Sequence, residues 1–182
     1  MHEKRFNREI ERLRDPDRLA RLEVERVVTL SIENMDGIQT VLDIGVGSAV
    51  FAEAFAARGL SLSGVDVNPE MLPQAQHFVP SGTFKEGTAE NLPFQVRDFD
   101  MAFMGLLLHE TDDILKALQE AFRVCEKRLA ILEWPYEEQP FGSPVEHRVR
   151  PETLYANAIQ AGFKKIETIR LKNLALYRLD KI

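Results

Sequence analysis

Apolar residues recur at mostly helical intervals through residues 3–33, at Phe6, Ile10, Leu13, Leu19, Leu22, Val24, Val27, Val28 and Leu30, among charges of both signs. The spacing predicts two helices whose charged positions form a solvated face. Asp15-Pro16 divides them: the residue before a proline avoids helical geometry, and a proline at the first helical position loses no needed N–H. Asp15 is placed to cap the second helix.

From Val41 the pattern becomes short apolar runs alternating with helical segments, which predicts βαβ units around a mostly parallel sheet. Val41–Ile44 reads as a buried strand, Ala49–Arg58 as a helix closed by Gly59, and Leu62–Val67 as a second strand. A helix opens at Asn68-Pro69, and Pro73 must shorten it, bend it or fall within its first turn. Strands are predicted at Thr83–Lys85, Phe99–Leu107 and Arg128–Glu133, with a helix over Asp112–Cys125. Residues 135–144 carry prolines without periodicity and predict a long loop of the kind that covers sites. A helix over Pro151–Ala161 ends at Gly162, and two strands, Lys165–Leu171 and Asn173–Leu179, follow across a tight polar turn. The predicted fold is α/β, a three-layer doubly wound, mostly parallel sheet with an antiparallel C-terminal strand.

A chain of 182 residues suits one domain, 1–182, with 1–37 as a helical cover and 38–182 as the core. No apolar run approaches the ~20 residues of a membrane span. The charged start Met1-His2-Glu3-Lys4-Arg5 leads into no apolar run, so no secretory signal is expected and the expected location is cytoplasmic. A net charge of −6 repels phosphate backbones and ranks small molecules or proteins above nucleic acid as partners. Cys125, the single cysteine, reads as a partly buried helix residue, and with no zinc-type spacing of Cys and His no metal is expected.

The chemistry begins at Gly45 and Gly47, which follow the first strand and precede a helix. Glycine there lets backbone approach a ligand closely, and an acid about 20 residues on, at the end of the second strand, suits ribose hydroxyls. Asp66 occupies that place. A dinucleotide site would carry a small residue where Val50 stands, and Asp43 would repel a pyrophosphate. Both favour a cationic, phosphate-free adenosyl cofactor.

Val41-Leu42-Asp43-Ile44-Gly45-Val46-Gly47-Ser48-Ala49-Val50-Phe51 resembles the first cofactor motif of the class I S-adenosylmethionine-dependent methyltransferases, within the small group related to ubiquinone and menaquinone methyltransferases (type 11). Gly64–Leu72 is similar to their ribose-binding segment, Gly87–Phe94 to their adenine loop, and Phe99-Asp100 through His109 to the fourth strand with its trailing histidine. The resemblance, over roughly 38–180, implies a Rossmann-like core and S-adenosyl-L-methionine as cofactor. It implies that Asp43, Gly45 and Gly47 surround the methionine part, that Asp66 holds the ribose, and that Val67 and Met71 pack on the adenine. Thr88 and Ala89 would then meet the adenine's polar edge, with Met104 and Gly105 beside the sulfonium. Three departures stand out: Ala49 replaces a glycine, Thr88 an aspartate, and the usual Pro-Gly-Gly turn before the fifth strand is missing.

The candidate catalytic residues are His109, as base or substrate contact, and Glu133, ending an apolar run beside Trp134. His147 and Arg148 are candidates to bind an anionic acceptor. The implied activity is methyl transfer to a small-molecule acceptor, chosen by residues 1–33 and 135–150 or by a second subunit of a homo-oligomer. A non-catalytic adenosyl-binding module and an NAD-dependent oxidoreductase are the alternatives.

Overall fold

A computed structural model describes residues 10–182, with side chains from residue 12 onward. Of the first expected helix these include a 3₁₀ turn at Ile10–Arg14; Phe6 lies outside the described residues. Asp15 caps α1 (Pro16–Leu22) as expected, its Oδ1 accepting from the amides of Asp17 at 3.0 Å and Arg18 at 3.2 Å. The second expected helix is broken again. Glu23 adopts a left-handed conformation (φ 49°) and the chain restarts as α2 (Val24–Ile32). Leu22, Val27 and Val28 keep their rhythm across the break and join one buried cluster, so periodicity alone does not reveal it.

Among the described residues seven strands form one sheet in the order β3-β2-β1-β4-β5-β7-β6. They are β1 (Thr40–Ile44), β2 (Ser61–Asp66), β3 (Thr83–Glu86), β4 (Phe99–Gly105), β5 (Cys125–Glu133), β6 (Lys165–Arg170) and β7 (Ala175–Asp180). The first five run parallel, and β7 slots between β5 and β6 antiparallel to both. Helices α3 (Val50–Ala56), α4 (Met71–Phe78), α5 (Ile114–Val124) and α6 (Pro151–Ala161) connect them. Pro73 falls within the first turn of α4, where it removes no helical bond.

Alternate residues of β1 enter opposite cores, as the two-residue period of a strand requires: Leu42 and Ile44 pack with α5 and α6, and Val41 with α2 and α3. The two clusters give three layers. Strand order reverses at β1, with β2 on one side and β4 on the other, so the crevice beyond their carboxyl ends is where such sheets bind ligands.

Cys125 departs from expectation. It opens β5 instead of closing a helix, and it is fully buried, which pushes its thiol up to about 12. With no glycine turn present, α5 passes straight into β5. Lys181 Nζ takes up the carbonyls of Phe122 at 2.8 Å and Cys125 at 2.7 Å, doing at the helix end what a glycine cap does elsewhere.

Candidate active site

The turn after β1 is fixed by backbone. Gly45 and Gly47 have φ of +75° and +50°, and a Cβ on Gly45 would lie 2.8 Å from the Leu107 side chain. The amides of Gly45 and Val46 donate to the Val65 carbonyl at 2.8 and 3.0 Å. Gly47 N–H donates to Asp66 Oδ2 at 2.8 Å, and Asn68 N–H to Asp66 Oδ1 at 2.9 Å, so turn and acid form one unit. Each carboxylate oxygen keeps lone-pair capacity for a further donor. Ala49 is held left-handed at φ 60°, costing about 1 kcal/mol or more at a site where glycine would be free.

Above this turn lies a cavity of about 1180 Å³. Its wall includes Asp43, Gly45, Gly47, Asp66, Val67, Met71, Thr88, Ala89 and Gly105 from the expected cofactor set. Met104 is not brought to it: in β4 successive side chains point to opposite faces, and Met104 lies fully buried in the α5–α6 core. Burial and the nearby charge of Asp66 push Asp43 up to about 7, against the Ala52 amide, which favours its charged form. Burial also raises Asp66, opposed by the amides of Asn68, Gly47 and Val67. A cationic group would relieve both acids, whereas a pyrophosphate would add a third negative centre. The donor set therefore fits S-adenosylmethionine, which carries an ammonium and a sulfonium, and does not fit NAD.

His109 stands at the other end. Leu106, left-handed at φ 57°, turns the chain away from β4, and a 3₁₀ turn at Leu108–Glu110 presents the imidazole to the cavity. Its Nδ1 lies 2.8 Å from Glu133 Oε2 and 3.1 Å from Oε1, and Nε2 lies 3.0 Å from Ser143 Oγ. Glu133 also accepts from the amides of His109 at 3.1 Å and Trp134 at 3.2 Å. Burial disfavours the imidazolium, but Glu133 and Glu110 outweigh it and raise the His109 pKa above its ordinary value, with Arg148 opposing. Glu133 is 1% exposed and is not on the cavity wall, so it acts on the cavity through His109.

Arg148 is buried inside the loop. It donates to the carbonyls of Ser143 (2.7 Å), Pro135 (2.9 Å), Glu137 (2.8 Å) and Phe141 (3.1 Å) and to Gln139 Oε1 (2.8 Å). Its guanidinium is committed to organising residues 135–143 and is unavailable to an acceptor. His147 does line the cavity. Missed from sequence were Ser143, Phe141, Arg18 and Arg21, all on the wall. The charge pattern of α1 marks a solvated face, and nothing local singles out the arginines or the serine.

Residues 42–129 match the family model for a methyltransferase domain. Two curated relatives are a malonyl-[acyl-carrier protein] O-methyltransferase of Erwinia billingiae, 35% identical over 86 residues, and a demethylmenaquinone methyltransferase of Chlorobaculum tepidum, 33% identical over 85 residues. The matches cover 47% and 46% of this chain, but only 34% and 35% of those proteins, so the chain spans about a third of their length. The solved structure of a SAM-dependent methyltransferase from Aquifex aeolicus superposes with a TM-score of 0.82 over 95% of this chain and 97% of that one, at 24% identity. That likeness establishes the shared fold.

Proposed function

We propose that this chain, whose residues 42–129 match a methyltransferase domain, transfers a methyl group from S-adenosylmethionine to a small-molecule acceptor. The observation that carries the reading is one cavity with two buried acids and a glycine turn at one end and a carboxylate-backed histidine at the other. When bound, S-adenosylmethionine would supply an electrophilic methyl group on a positively charged sulfur.

The chain's own residues do the rest. Asp66 and the glycine turn orient the adenosyl group, and Asp43 offers charge to its cationic end. An ionised Glu133 can only accept, so His109 Nδ1 carries the proton and Nε2 is left as the acceptor. Nε2 then takes a proton from an acceptor hydroxyl that replaces Ser143 Oγ. Trp134 and the 135–143 loop cover this end, and near-attack geometry with water excluded supplies much of the acceleration. A net charge of −6 supports a small molecule over nucleic acid. A base so placed argues against a merely regulatory module.

The test is formation of S-adenosylhomocysteine across a panel of small acceptors, with calorimetric titration of S-adenosylmethionine and NAD. Asp66→Ala should weaken S-adenosylmethionine binding by roughly 10- to 100-fold, the worth of a charge-assisted hydrogen bond. Tight NAD binding with no response to S-adenosylmethionine would overturn the reading.

A further inference from the structure

The cavity wall carries arginines as well as the acids Glu90, Glu110 and Asp112, in a chain that as a whole is acidic. Arg18 and Arg21, one turn apart on α1, both line the cavity. Arg14 and Arg26 on the same covering segment have carboxylate partners, Glu53 at 2.8 Å and Glu23 at 2.9 Å. Among the described residues Arg18 and Arg21 form no ion pair. Arg18 Nη1 donates to the Leu13 carbonyl at 2.7 Å, and the Arg21 guanidinium lies 5.5 Å from the centre of the Phe141 ring. Asp15, also on the wall, has its Oδ1 turned to the amides that open α1.

Two half-buried guanidiniums without counter-charge cost each other energy: burial and the charge of Arg21 both lower the Arg18 pKa. An anion between them removes that cost. Phe141 lies 6.1 Å from Trp134, ring centre to ring centre, and two residues before Ser143, whose hydroxyl is on His109. One loop thus carries both the ring under Arg21 and the group that marks the reacting position.

Resting on the methyl-transfer reading, we propose that the acceptor bears an anionic group, a carboxylate or a phosphate, held by Arg18 and Arg21, with an apolar body against Phe141 and Trp134 and its nucleophile at His109.

Trp134 is the one tryptophan of the chain, so its fluorescence reads binding at this end. Benzoate, phenyl phosphate and neutral benzamide are titrated into the full chain, with and without saturating S-adenosylhomocysteine. Benzoate or phenyl phosphate should bind about tenfold or more tightly than benzamide, the difference expected of a charged hydrogen bond, and the stronger of the two identifies the group. Arg21→Gln, whose side chain makes no hydrogen bond among the described residues, should keep the melting temperature and bring the favoured anion to the level of benzamide, as should Arg18→Gln. Equal binding of all three probes, or a preference that survives in Arg21→Gln, overturns the proposal. Displacement of the favoured anion by S-adenosylhomocysteine also overturns it, because the arginines then hold the cofactor's own carboxylate. Calorimetry of S-adenosylhomocysteine on the same samples tests the methyl-transfer reading separately: its failure would remove that reading and leave the anion preference to be judged by the probes alone.

Discussion

The two ends of the cavity are built by different means. At the cofactor end the shape belongs to the backbone: glycines at positive φ, amides donating to Val65 and Asp66, and strand ends that the sheet holds in register. At the acceptor end it belongs to side chains, with Glu133 orienting His109, Ser143 meeting the imidazole from the loop, and Arg148 gathering that loop's carbonyls. The first end carries the buried acids Asp43 and Asp66, whereas the arginines Arg18 and Arg21 share the rest of the wall with Glu90, Glu110 and Asp112. A backbone-built site tolerates replacement of many neighbours, whereas a site built from a few side chains fails when one is lost. Substitutions at the acceptor end should therefore damage turnover while leaving the cofactor end intact.

The sharpest separation comes from His109→Gln. If Nε2 accepts the acceptor's proton, the variant should lose roughly 10²- to 10⁴-fold in kcat, the usual worth of a positioned general base. Its affinity for S-adenosylhomocysteine should stay within about threefold, since no adenosyl contact is removed. Equal loss of binding and turnover would show that the two ends are not separable.

The loop is the next lever. Arg148→Met keeps the bulk of the stem but leaves the carbonyls of Pro135, Glu137, Phe141 and Ser143 without their cationic donor. Hydrogen bonds to a charged group contribute about 1.5–3 kcal/mol, so the loop's closed fraction falls by roughly 10- to 100-fold, and the acceptor KM rises to match. Hydrogen exchange over 135–148 should quicken while the β1–β2 region stays protected. Unchanged exchange would mean that the loop is held by something other than Arg148.

The same contrast explains what the sequence disclosed. Gly45, Gly47 and Asp66 were legible because a strand, a tight turn and an acid at a strand end are local signals, each with a steric reason. Strand alternation was equally available and would have withdrawn Met104, since its neighbour Gly105 faces the cavity. Cys125 was misplaced because the helix ends without a glycine, on a lysine 56 residues away whose role no local pattern announces. Ser143 and His109 are 34 residues apart, and only the fold of a proline-bearing loop brings them to 3.0 Å. Arg148 has the composition of a ligand-binding residue and the position of a buried brace, which its burial reveals and its identity does not.

The smallest expected effect tests whether Glu133 acts through His109. Glu133→Gln removes the charge that holds the imidazolium, so the His109 pKa, raised in the native protein, should fall. Neutral His109 is the form able to accept a proton, and the rising limb of kcat against pH should therefore move to lower pH. Turnover at the optimum should drop about tenfold, from loss of one charge-assisted hydrogen bond that orients the ring. Stability gives an independent readout. A histidine whose folded pKa lies above its unfolded value of 6.5 stabilises the fold fully below that value, and the contribution is lost as pH rises through the folded pKa. The native chain should lose thermal stability across that window, and Glu133→Gln should flatten the loss. NMR titration of the His109 ring reads the pKa directly, and a value unmoved by the substitution would break the link between Glu133 and the acceptor end.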